Sequence, residues 1–128
     1  MQVSVVTADC DSVVLRAPLA PNINHRDTVF GGSASTLAIL SAWSLLQVRL
    51  LTEHVAARLV IQRNTMEYEQ PMTGEFFARA SLSEISQWLM FMRMLDRKGK
   101  ARVTVSSTID QAGLVGGRFR GEFVALGA

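Results

Sequence analysis

From Ser33 to Leu51 the chain reads SASTLAILSAWSLLQVRLL, nineteen residues without a glycine or a proline and apolar nearly all round. A helix of that kind has no face to offer to water and must be enclosed on most sides. Its apolar part, from Leu37 to Leu51, is interrupted by Ser41, Ser44, Gln47 and Arg49 and falls short of the roughly twenty residues that span a bilayer. The segment is therefore expected to be the core helix of a globular domain, with no membrane partner.

What surrounds it reads as sheet. Residues 3–17 (VSVVTADCDSVVLRA) are valine-rich and broken by Asp9, Asp11 and Ser12, which predicts one bulged strand or two short ones. Pro18 and Pro21, then Asn22, Asn24 and Asp27, predict an ordered loop over 18–32 ending at Gly31 and Gly32. Strands are expected at 58–69 and 75–84 about a Pro71–Gly74 turn, and at 87–95 and 101–109 about a hairpin at Asp96–Lys100. GRFRGEFVAL, 117–126, reads as the last. One strand, a loop, one apolar helix and about five antiparallel strands make an α+β domain in which a curved sheet wraps the helix.

At 128 residues the chain is expected to be a single domain over 1–128. With 48% hydrophobic and 19% charged residues it lacks the composition of a disordered chain. One cysteine, Cys10, and two histidines, His25 and His54, provide neither a disulfide nor a zinc ligand set. No metal and no cofactor are expected, and a reducing, cytoplasmic setting fits best. A net charge of +2 does not suggest nucleic acid and suits smaller anionic partners held by a few arginines. No charged segment precedes an apolar one at the N-terminus, so a secretory leader is not expected.

This layout resembles the hot-dog superfamily, in which a curved sheet wraps a long central helix and two subunits join edge to edge. NHRDTVFGG, residues 24–32, opens directly onto the helix, and phenylacetyl-CoA thioesterase-like enzymes carry an Asn six residues before a His-Gly-Gly there. QPMTGEFFARA (70–80) resembles their Pro-x-x-Gly-Asp/Glu turn and strand, and GRFRGEFVAL their closing strand. APNINHRDTVFGGS is similar to a bacterial thioesterase group, YiiD C-terminal domain-like, some of whose members follow an acetyltransferase domain. The resemblance implies an acyl-CoA or acyl carrier protein substrate and a homodimer or dimer of dimers. Two positions depart from the pattern. Phe30 stands where the thioesterases have histidine, and Ile39 where they place a helix aspartate acting as base or nucleophile.

The start of the helix offers unsatisfied amide donors and a partial positive charge, so Gly32 N–H is an expected oxyanion donor with Gly31 beside it. A structural Gly-Gly turn is the alternative. Asn24 is expected to donate its amide to the substrate or orient a water, unless it bonds its own loop. Ser35 and Thr36 precede Ile39 by one helical turn and would share its face, so either is a candidate to hold substrate or water, although helix hydroxyls often bond back to the helix. His25 is a candidate for substrate contact and a weaker one for catalysis. Phe30 and Ile39 are expected to line the acyl site.

Three functions follow. Hydrolysis of an acyl thioester stands first and needs a base, with Glu67, Glu69 and Asp110 as the strand carboxylates available. Decarboxylation of a malonyl thioester, in fatty acid synthesis initiation, needs no base and would use Phe30 and Ile39 as an apolar wall beside the carboxylate. A non-catalytic acyl-thioester binding module is third.

Overall fold

The computed structural model describes residues 1–82 and 84–127. Six strands and two long helices follow in the order β1 (Ser4–Ala8), β2 (Ser12–Ala17), α1 (Gly31–Thr52), β3 (Ala57–Tyr68), β4 (Phe76–Ser81), α2 (Ile85–Lys98), β5 (Lys100–Gln111) and β6 (Leu114–Gly127). The strands form one antiparallel sheet in the spatial order β1-β2-β4-β5-β6-β3.

Residues 3–17 fold as two strands, with a register shift between Val5 and Thr7. The turn between them is closed by Asp9, whose carboxylate accepts the backbone N–H groups of Asp11 and Ser12. Those bonds, with Ser12 the larger influence, hold its carboxyl below the usual carboxylate range.

Helix α1 has 22 residues, longer than the sequence suggests, and so reaches the length of a bilayer span. It is nevertheless the core of the domain. Leu37, Ala38, Ala42, Leu45 and Leu46 are fully buried, and the helix touches all six strands, so the sheet must bend around it. This is the hot-dog arrangement. Inward-facing β5 and β6 residues pair across the ladder as Ala101 with Ala125, Val103 with Phe123 and Ser107 with Phe119, and all six are buried.

One polar link crosses this core. Ser41 Oγ–H donates to the Ala38 carbonyl at 2.8 Å and its oxygen lies 2.8 Å from Ser107 Oγ, with both side chains buried. The Ser107 hydroxyl is thus left to donate to Ser41. Ser41→Ala strands that hydroxyl and should cost about 1–3 kcal/mol in urea unfolding, whereas Ser107→Ala leaves Ser41 bonded to the helix and should cost less. Equal losses in the two variants would refute this ordering.

The expected strand at 87–95 is instead part of α2, so four strands, not five, follow α1. Trp88, Phe91 and Leu95 are its buried residues, at helical spacing, and a short continuous apolar run cannot be told from a strand by periodicity alone. Gly99 (φ 70°) terminates the helix in the left-handed region, its N–H donating to the Leu95 carbonyl, rather than turning a hairpin. The second expected strand, 75–84, ends at Ser81; its Ser83 lies outside the described residues. Helix α2 covers the far end of α1, where Trp88 Nε1–H donates to Glu53 Oε2 at 2.5 Å and the Arg49 guanidinium lies 5.2 Å from the Trp88 ring centre.

Candidate active site at the start of the central helix

The loop over 18–30 is tied down before it delivers α1. Asn22 is buried, and its Nδ2 donates to the carbonyls of Met1 and Pro18. Its own carbonyl accepts Phe30 N–H at 2.7 Å, while Val29 N–H donates to the Met72 carbonyl at 2.9 Å. Between these anchors Asn24 closes a turn. Its Oδ1 accepts the N–H groups of Arg26 and Thr28, and its Nδ2 donates to Thr28 Oγ1 at 2.9 Å. Asp27 at φ 62° completes that turn. Asn24 therefore makes the local bonds named above as its alternative.

Phe30 caps α1 with an extended backbone, and its carbonyl accepts Ser33 N–H and Ala34 N–H at 2.9 and 3.1 Å. The Gly31 and Gly32 N–H groups precede those first bonds and have no partner within the helix. Glycine at 32 has a steric reason: a Cβ there would sit 2.5 Å from the Phe30 ring, which folds back over the first turn. Gly31 is overlaid in turn by Tyr68, whose ring carbon would lie 3.4 Å from an added Cβ and whose hydroxyl donates to the Gly31 carbonyl at 3.0 Å. Strand β3 thereby fixes the helix start.

A pocket of about 290 Å³ opens here, bordered by Gly31, Ala34, Tyr68, Glu69 and Met72 among others. Of the residues singled out by sequence, only Gly31 and Glu69 border it. Phe30 and Gly32 adjoin it along the chain; Asn24, His25, Ser35 and Ile39 do not line it. His25 is exposed, and Ser35 and Ile39 are half-buried. Thr36 bonds back to the Gly32 carbonyl at 2.7 Å.

The three strand carboxylates separate clearly. Asp110 is buried but held by Arg79, Nε to Oδ2 at 2.6 Å, on the face of β4 and β5 turned away from α1. Glu67 faces the same outer side, directly opposite Arg118 on β6. Glu69 borders the pocket, and Arg118 Nε donates to its Oε2 at 2.7 Å. Tyr68, Gln70 and Met72 are pocket residues that sequence reasoning did not single out. Their signal was indirect: the turn after β3 returns to the loop, as the Val29–Met72 bond shows.

The arrangement has relatives. A structure of a protein of unknown function from Chlorobaculum tepidum matches with a TM-score of 0.93 and 27% identity, covering 100% of this chain and 84% of that one. A Shewanella oneidensis structure described as a "putative thioesterase" matches with a TM-score of 0.87 and 25% identity, covering 98% and 85%. A protein of unknown function from Pseudomonas aeruginosa, 21% identical with a TM-score of 0.83 and covering 98% and 83%, shares the fold. The family described as "Putative thioesterase (yiiD_Cterm)" matches residues 1–127, and the chain belongs to it.

Proposed function

We propose that the protein hydrolyses acyl thioesters, carried on CoA or an acyl carrier protein, at the first turn of α1. The observation that carries this reading is the meeting of Gly31 and Glu69 around one pocket. The thioester carbonyl oxygen would lie at the Gly31 and Gly32 N–H groups, where donors and helix dipole favour developing negative charge. Glu69 would take a proton from water as the hydroxyl oxygen bonds to the carbonyl carbon. Collapse of the tetrahedral oxyanion breaks the C–S bond, and the thiolate leaves with the proton held on Glu69. Arg118 engages Oε2, so Oε1 is the oxygen assigned to the water.

The working unit in this reading is a dimer. Strand β3 is twelve residues long, pairs with β6 alone and is exposed along most of its length, an open edge that pairs readily with a second copy. On α1, Leu40 and Trp43 are also partly uncovered. Ser35, His25 and Ile39 belong, on this reading, to the part of the site completed by the partner.

The Phe30 ring beside Gly32 favours a second reading, malonyl-thioester decarboxylation, because it supplies an apolar wall next to the same donors. Mass spectrometry after incubation with acetyl-, malonyl- and long-chain acyl-CoA separates the two. Free CoA with the matching acid is the expected result. Acetyl-CoA from malonyl-CoA would replace hydrolysis by decarboxylation, and binding without turnover would leave only a binding module.

A further inference from the structure

A second cavity lies between α2, β5 and β6 and takes no part in the chemistry above. Strand β4 pairs with β5 only over Ser106–Asp110, so Lys100–Val105 have β6 on one side and no strand on the other. Helix α2 lies along this unpaired stretch and leaves a trough of about 550 Å³. That is within the roughly 300–1,000 Å³ usual for small-molecule sites. It is lined by Met90, Phe91 and Met94 from α2 and by Val103, Val124, Lys100 and Arg102 from the sheet.

Two properties of the trough define what fits it. The buried stripe of α2 is complete with Trp88, Phe91 and Leu95, yet Met90 and Met94 remain 67% and 44% exposed. Methionine is the side chain that adapts to a flexible apolar guest. Lys100 and Arg102 have no carboxylate within 4.0 Å among the described residues, and Arg93, Arg97 and Lys98 on α2 add positive charge without such a partner. Apolar walls ending in unpaired cations complement a single hydrocarbon chain with an anionic head. A trough bounded by one helix and one strand admits an extended chain more readily than a packed helix.

We propose that the trough between α2 and the unpaired part of β5 binds a fatty carboxylate, its chain along Met90 and Met94 and its head at Lys100 and Arg102. This site lies apart from the pocket at the start of α1, since the two share no lining residue.

The test uses the full chain labelled with 13C at the methionine methyl groups and titrated with dodecanoate, followed by NMR. Met90 and Met94 report the trough, and Met66 and Met72 report the pocket at the start of α1. Saturable shifts at Met90 and Met94 are expected. The double variant Lys100→Glu/Arg102→Glu should weaken them by roughly tenfold or more, as loss of charge-assisted contacts implies. Shifts at Met66 and Met72 alone, dodecanol binding as tightly as dodecanoate, or unweakened binding in the double variant would each overturn the proposal. So would light scattering in which Met90→Glu halves the particle mass, because the trough would then be an interface between copies. The dodecanol comparison needs only the wild-type protein and stands if the variant does not fold.

Discussion

Glu69→Gln should abolish thioester hydrolysis to within about one part in 10² to 10⁴ of wild type, the usual contribution of a general base, while leaving the fold intact. The substitution keeps shape and a hydrogen-bonding oxygen for Arg118, whose Nε donates to Glu69 at 2.7 Å. It removes only the capacity to accept a proton. Both partners are well exposed, so the ion pair itself contributes little to stability and Tm should hardly move. Glu67→Gln is the internal control, because Glu67 lies two residues away, opposite the same Arg118, but does not border the pocket. Its turnover should match wild type. A Glu69→Gln enzyme within threefold of wild-type kcat would remove Glu69 from the mechanism and return attention to a residue from the partner subunit.

The contrast between Glu67 and Glu69 also marks how far sequence reading reaches. The core helix could be located because α1 is apolar on nearly every side, a pattern few other structures accommodate. A sheet wrapped around that helix followed from it, and the hot-dog arrangement from the resemblance carried by residues 24–32, 70–80 and 117–126. Helix α2 was misread because Trp88–Leu95 is a short apolar run whose helical spacing becomes decisive only once Gly99 is known to cap rather than to turn. At the start of α1, the motif pointed to Gly31, which borders the pocket, and to Gly32 beside it along the chain. It did not reveal which carboxylate residue borders the pocket, because that depends on how the chain turns after β3, where Glu69 and Gln70 both donate their N–H groups to the Gly116 carbonyl. Asn24 shows the complementary limit: its position in the motif points toward substrate, but its side chain is engaged three times by its own loop.

Gly32→Pro tests the oxyanion donor, and it should lower kcat by about 10² to 10³, the usual loss of one such donor. Proline is tolerated in the first turn of a helix because the N–H it lacks has no intrahelical partner to lose. Here the first ladder bonds come from Ser33 and Ala34, so α1 loses none of them, although proline at 32 disfavours the helical conformation of Gly31 before it. The new ring must displace the Phe30 side chain, which is exposed and able to swing outward. Gly32→Ala makes a similar demand on Phe30 but retains the N–H, so the ratio between the two variants measures the loss of the donor together with the restriction proline places on Gly31. A large ratio with unchanged circular dichroism and unchanged assembly size supports a carbonyl oxygen bound at the helix start. If Gly32→Ala falls as far as Gly32→Pro, then the position of the Phe30 ring, and not the amide, controls turnover, and the apolar wall required for decarboxylation becomes the better account of this site.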